Sequence, residues 1–380
     1  MKRIIAVLLA MMMLTGCANA QTAPQEAAPQ QETAAEPVQE AAEPEQEAAP
    51  APEAEAEPVQ EETAEVTYPY TFTDHAGREV VIEEQAETLA TTYSVAITFA
   101  AALEKADAIV GKDVGSSSNE LLAIIAPELE NVEVLGNSRE LNLEVLASMN
   151  PDVFINRARN VDTLDAAKEA GVTSIGINPE TPEQVLETYD LFANVFGAQE
   201  RAEVLKTAYK DIIDKAESLS KEIPEEEKVT AIVMGSEVGK IANGEMLQSY
   251  LLEVAGAKNP ATEVVTNELW PTVGVEEIFE WDPEYIFLTS YGKREYAVED
   301  IMNDPVWADL QAVKNGNVIV MPCEMESWEI PGPHSCLSAL WLVNRLYPEV
   351  YTDAELEADV TEYFEILYPG KTITRDLLGY

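Results

Sequence analysis

Apolar and polar positions follow two rhythms along the chain, and the rhythm changes at regular intervals. Short apolar runs near residues 89–92, 108–110, 132–135, 152–156 and 173–177 have the length of strands. Helical spacing predicts helices between them, near 94–104, 119–125, 143–149 and 161–170. Strands alternating with helices imply crossover connections and a parallel sheet. Ahead of this unit, residues 67–82 read as a β-hairpin around the turn Asp74-His75-Ala76-Gly77.

Residues 181–222 carry a different signal. Thr181-Pro182-Glu183-Gln184 is a capping box with proline at the first helical position. Val185, Leu186, Tyr189, Phe192, Val195 and Phe196 recur at helical spacing, and Val204, Leu205, Tyr209, Ile212, Ile213 and Leu219 continue the period. Gly197, between the two sets, suits a helix end or a kink, and Pro224 closes the run. At about 1.5 Å per residue the second part alone spans roughly 35 Å, the width of a small domain. The expectation is a stiff interlobe helix over 181–223, with a helical hairpin inside one domain as the alternative. Beyond it, strands near 228–234, 284–289 and 318–321 and helices near 247–255, 275–281, 335–346 and 354–367 repeat the first grammar. The predicted fold is α/β: an N-terminal lobe at 67–180 and a C-terminal lobe at 224–380, each a central sheet flanked by helices, joined by a long backbone helix.

A repeat supports two lobes. Residues 143–155 align without gaps on 275–287, each a short amphipathic helix, a turn with Pro151 or Pro283, an acidic residue and an apolar strand. Each copy has a glutamate, Glu144 or Glu276, in the first helical turn. The helix dipole favours a carboxylate there, which is one reason for it. Two equivalent lobes would also put two equivalent carboxylates on one end of the molecule.

Composition adds an address. The chain has 380 residues, 46% of them hydrophobic, enough for two cores. Lys2-Arg3 and the short apolar run after it form a signal peptide over 1–16, too short to span a bilayer. The run ends in Leu14-Thr15-Gly16-Cys17, which resembles the lipobox of bacterial lipoproteins; that resemblance implies cleavage before Cys17 and lipidation of its thiol. Residues 17–66 are almost wholly Ala, Glu, Pro and Gln, with 13 Glu and no Lys or Arg, a composition that predicts a disordered, self-repelling tether. Residues 67–380 hold 21 Lys and Arg against 57 Asp and Glu, a net of −36. That balance argues against nucleic-acid binding through phosphates and favours solubility at a cell surface. Cys323 and Cys336 are left either to pair in an oxidising compartment or to stand as separate buried thiols.

Catalytic tools are few. There are two histidines, His75 and His334, and neither HExxH nor GxSxG occurs. Gly370-Lys371-Thr372 lacks the earlier glycine of a phosphate loop, since position 365 is Glu. The chain is read as no enzyme, with a surface-anchored enzyme or adhesive module as the alternative of another class. Aromatic, arginine and small polar residues gather instead after predicted strands, where α/β lobes take ligands. Tyr93 and Ser94, Asn137, Arg157 and Arg159 do so in the first lobe; Ser236, Trp270, Tyr291 and Trp328 do so in the second. The arginines suit carboxylate, catecholate or hydroxamate oxygens, and the rings suit flat apolar walls.

A series of short stretches carries a further signal: Asp74-His75-Ala76-Gly77-Arg78, Ile109-Val110-Gly111, the first repeat copy from Asn142, and residues 252–259. Trp307 through Ala312-Val313-Lys314-Asn315-Gly316, then Trp328-Glu329-Ile330-Pro331-Gly332-Pro333 and Leu340-Trp341-Leu342, complete the series. In this order, from about Thr67 to the C-terminus, the chain resembles the substrate-binding lipoproteins of ABC importers for ferric siderophores, haem and cobalamin, periplasmic binding proteins with a single long interlobe helix. The resemblance implies that Glu144 and Glu276 form salt bridges with arginine pockets of an ABC permease dimer, that Trp270 and Trp328 fall in cleft-lining segments, and that the lobes move little. The expected protein is an extracytoplasmic monomer, anchored to the membrane by lipid, with no cofactor of its own. It would capture a small-molecule metal chelate, a ferric siderophore first, with haem, cobalamin or a molybdate-type oxyanion as alternatives.

Overall fold

Two parallel sheets organise the molecule, and a pair of helices holds them in place. The computed structural model describes residues 66–137, 139–266, 268–289 and 294–380, and these described residues belong to one compact unit. Cys17, the expected signal peptide, the expected tether up to residue 65, and Tyr291 lie outside the described residues. Among the described residues no helix is long and apolar enough to cross a membrane.

The hairpin comes first, with β1 (Tyr70–Thr73) antiparallel to β2 (Glu79–Ile82). Asp74 fastens it. Its fully buried carboxylate accepts from the amides of Ala76 at 3.0 Å, Arg78 at 2.9 Å and Gly176 at 2.8 Å, and pairs with the Arg78 guanidinium at 2.7 Å. The motif therefore locks the hairpin to the first sheet.

That sheet is built from β3 (Leu89–Thr91), α1 (Ser94–Ala102), β4 (Ile109–Asp113), α2 (Glu120–Ile125), β5 (Glu133–Gly136), α3 (Leu143–Met149), β6 (Val153–Arg157), α4 (Val161–Glu169) and β7 (Thr173–Ile177). The strands are all parallel in the order β5-β4-β3-β6-β7. The winding reverses between β3 and β6. Connections on either side of that point leave in opposite directions and open a crevice at the carboxyl ends of the two strands.

The 181–222 run is two helices. α5 (Pro182–Phe196) starts at Thr181, whose hydroxyl accepts from the Gln184 amide at 3.3 Å, and ends at Gly197 in the left-handed region with φ 67°. Gly197 thus ends a helix, one of the two roles its sequence position allowed. α6 (Gln199–Lys221) has 23 residues, about 34 Å at 1.5 Å each.

The second lobe comprises β8 (Ala231–Met234), α7 (Leu247–Val254), α8 (Val275–Trp281), β9 (Tyr285–Leu288), α9 (Val298–Met302), α10 (Gln311–Asn315), β10 (Val318–Val320), α11 (Leu337–Leu346), α12 (Asp353–Leu367) and α13 (Arg375–Leu378). Its sheet is parallel, in the order β10-β9-β8. The short helices α9, α10 and α13 leave no periodic signal in the sequence, because four or five residues hold barely one turn.

The two helices of the bar belong to both lobes. Tyr189 and Phe192 of α5 set their rings 4.9 and 5.8 Å from Phe99 of α1, while α6 packs on α7, α11 and α12. One hydrophobic core runs through Phe99, Tyr189, Leu205, Leu251, Leu340 and Tyr363, and a separate core fills the lobe around β8, β9 and β10. Both helices are thus packed along their apolar faces against the two lobes.

The repeat is geometric as well as sequential. α3 and α8 each end in a left-handed residue that is not glycine, Asn150 with φ 47° and Asp282 with φ 40°, immediately before the proline. Leu146 and Ile278 are the fully buried apolar residues of the two helices. The acidic residue that follows the proline anchors a neighbouring strand in each lobe. Asp152 accepts from the Thr88 amide at 2.8 Å, and Glu284 accepts from the Thr230 amide at 3.0 Å.

Candidate functional site

The carboxyl ends of β3 and β6 carry the first half of the site. Thr91 closes β3, its hydroxyl donating to the Ile155 carbonyl of β6 at 2.8 Å and accepting from the Tyr93 amide at 3.0 Å. This threonine ties the turn after one strand to the other and so sets where Tyr93 stands. β6 ends at Arg157, whose guanidinium lies over the Tyr93 ring, 4.5 Å from its centroid. A cation over a tyrosine face at that distance gains about 0.5–2 kcal/mol. Arg159 follows at an exposed position, and Glu180 comes from the loop between β7 and α5.

The second lobe supplies the facing wall. Gly235 follows β8, and the Trp270 indole lies directly on it. A Cβ on Gly235 would stand 2.7 Å from Trp270 Cε3, so only glycine admits the ring there. Trp270 itself has φ 58°, a left-handed conformation that costs a non-glycine residue about 1 kcal/mol or more. The Tyr296 hydroxyl donates to the Gly235 carbonyl at 2.7 Å, and the Gly235 amide donates to the Lys240 carbonyl at 2.7 Å. Burial pushes the Tyr296 phenol up to about 12, which keeps it a donor.

Between the two walls is a cavity of about 470 Å³. Tyr93, Arg157, Arg159 and Glu180 line it from the first lobe; Ser236, Gln248, Trp270, Thr289 and Glu329 line it from the second, with Met246, Leu269, Ile330 and Pro331 as apolar surface. Burial pushes the Glu180 carboxyl above its ordinary range, against the opposing pull of Arg159 and Arg157. Glu329 and Gln248 are almost fully buried, 1% and 6% exposed.

Five of the residues singled out from sequence therefore meet at one cavity: Tyr93, Arg157, Arg159, Ser236 and Trp270. Three do not line it. Ser94 is the first residue of α1, half-buried behind Tyr93 in the chain. Asn137 follows β5, the edge strand two places from the winding reversal, and its Oδ1 accepts from the Arg139 and Glu140 amides at 2.9 and 3.0 Å in a local turn. Trp328 is fully buried, its ring 4.9 Å from Tyr380, so it packs the core behind the site. A loop aromatic reads the same in sequence whether it turns outward or inward.

Glu180 and Gln248 are cavity-lining residues that the sequence does not single out, while Glu329 stands in the Trp328–Pro333 motif without being picked for the site. Glu180 follows a strand and fits the same strand-end rule, but carboxylates are too numerous in this chain to pick one. Gln248 is placed by the tertiary packing of α7 alone. The two remaining cysteines differ in setting: Cys336 is buried, which pushes its thiol up to about 12, and Cys323 is at an exposed position.

Glu144 and Glu276 are both exposed, in the first turns of α3 and α8. Each helix lies in the connection between two strands of a parallel sheet, α3 between β5 and β6 and α8 between β8 and β9.

Comparison with known proteins agrees with this architecture. Residues 89–325 match the family model described as periplasmic binding protein. The molybdate-binding protein MolA of Haemophilus influenzae is 25% identical over 327 residues, covering 78% of this chain and 88% of that protein. The Fe(3+)-citrate-binding protein YfmC of Bacillus subtilis is 24% identical over 191 residues, covering 48% of this chain and 58% of that one. Among solved structures, Helicobacter pylori CeuE with Ni(II) bound has a TM-score of 0.68 at 22% identity and covers 80% of this chain and 97% of its own. With two sheet-centred lobes, a cavity between their strand ends and a family match over more than half its length, the chain belongs to the periplasmic binding protein family, the extracytoplasmic solute-binding components of ABC transporters.

Proposed function

We propose that the solute is a metal chelate with oxygen donors, a ferric siderophore first, captured between the lobes and delivered to an ABC permease. The observation that carries this reading is the pairing of walls: Arg157 stacked on Tyr93 faces Trp270 seated on Gly235 across about 470 Å³. Flat rings suit a chelate's apolar flanks, and guanidiniums suit its oxygens. The volume falls within the range of organic-ligand sites and far exceeds what a single tetrahedral oxyanion fills. The names of two relatives point to molybdate and ferric citrate, both of which present oxygens around a metal.

Intrinsic tryptophan fluorescence tests the reading, because Trp270 stands in the wall. Titration with ferric chelates should change the emission, and Trp270→Phe should remove most of that change. Haem, cobalamin and molybdate titrated alongside decide among the alternatives. Binding of none of them would end the chelate reading.

Two further assignments accompany it. Glu144 and Glu276 are taken as the residues that dock on the permease, supported by their exposure and their equivalent places in the repeat. Cys17 is taken as the lipidated anchor, on the strength of the preceding Leu-Thr-Gly. Cys17→Ser should release the protein into the medium, and retention on the membrane would contradict the anchor.

A further inference from the structure

Taking the cavity as the chelate site, its hydrogen-bond acceptors constrain what can enter. Glu180 is held by its backbone, the amide donating to the Asn178 carbonyl at 2.9 Å and to Gln184 Oε1 at 3.0 Å. Its carboxylate lines the cavity near Arg157 and Arg159, with no ion pair among the described residues. Gln248, on the other lobe, donates through Nε2 to the Glu329 carbonyl at 2.8 Å. A carbonyl can only accept, so this contact settles which end of the amide is nitrogen. The remaining atom, Oε1, is buried with no partner among the described residues. A buried acceptor left unmatched costs free energy that an incoming donor recovers.

Charge constrains the ligand in the same direction. The described lining holds two guanidiniums, Arg157 and Arg159, and two carboxylates, Glu180 and Glu329, a formal balance of zero. A molybdate dianion or a ferric tris-catecholate trianion brings acceptors and negative charge to a wall that already has both. A ferric trihydroxamate is neutral at its metal centre, and its amide linkers donate. Its hydroxamate oxygens still meet the arginines.

We propose that Glu180 and Gln248 make the site selective for chelates of zero or positive net charge that donate hydrogen bonds, with Glu180 setting the charge preference. This rests on the chelate reading above and narrows it to one class.

Calorimetric titration of the purified protein with a neutral ferric trihydroxamate, a ferric tris-catecholate, ferric citrate and molybdate tests it. The wild type should bind the trihydroxamate at least about tenfold more tightly than any of the anions, since one charge at close range in a partly buried site is worth about that much. Glu180→Gln should narrow the gap by about tenfold, by removing the charge that repels the anions and by weakening the trihydroxamate's contact with the wall. Glu180→Ala should shift the ratio in the same direction, which guards against a packing effect peculiar to one variant. Preference for an anion in the wild type, or an unchanged ratio in both variants, would overturn the selectivity and leave the chelate site standing. Binding of no probe would remove the chelate reading and the selectivity together.

Discussion

Gly235→Ala is the sharpest perturbation of the site. The new methyl would stand 2.7 Å from Trp270 Cε3 and 3.2 Å from Cδ2 and Cζ3. An ordinary carbon contact lies near 3.5 Å, so one partner must yield by roughly 0.8 Å. Gly235 is pinned on both sides, by Tyr296 at its carbonyl and by Lys240 at its amide. Trp270 is already in the left-handed region and has little backbone freedom to spare. The indole should therefore be driven into the cavity, against the ligand. Overpacking of this kind costs about 1–3 kcal/mol, so affinity for the proposed chelate should fall by roughly tenfold to a hundredfold. Calorimetric titration measures the loss, and a shift in tryptophan emission of the unliganded protein reports the moved ring. The same substitution in a Trp270→Ala background should have little effect on binding, because the clash is gone. Wild-type affinity in Gly235→Ala, or an equal loss in the Trp270→Ala background, would refute this account of the wall.

Three more outcomes follow from other parts of the molecule. Arg78→Ala strands the fully buried Asp74 carboxylate and should lower stability by about 3–5 kcal/mol in urea unfolding; a loss below about 1 kcal/mol would show that the backbone amides suffice. Burial lowers the His334 pKa to about 4 from 6.5, so between those values the unfolded chain binds more protons than the folded one. Stability should thus fall as pH drops from 6.5 towards 4, by up to about 3 kcal/mol, and His334→Gln should flatten that slope; identical slopes in the two proteins would contradict it. On the docking role proposed for them, Glu144→Ala and Glu276→Ala should leave affinity for the proposed chelate within about twofold and reduce uptake, since neither residue lines the cavity. Wild-type transport by both variants would end their assignment to the permease interface.

Alternation of strand and helix, the Thr181 cap, the Pro224 stop and the repeated helix-proline-strand unit were legible in the chain itself, because they are local: each follows from spacing, capping or turn chemistry within a few residues. The strand-end rule also pointed to Tyr93, Arg157, Arg159, Ser236 and Trp270, since it needs only the order of elements. Three things needed the tertiary structure. The reversal between β3 and β6 depends on sheet order, which no single segment encodes, and it separates Tyr93 and Arg157 at the crevice from Asn137 at the edge. Trp328 and Trp270 are both loop aromatics in sequence, yet one packs on Tyr380 and the other on Gly235, and only the neighbours brought in from distant segments decide which. Glu180 and Gln248 are ordinary polar residues until two lobes close around them. Burial turns one into a carboxyl with a raised pKa and the other into an acceptor without a donor among the described residues, because desolvation is a property of the assembled fold and not of the chain.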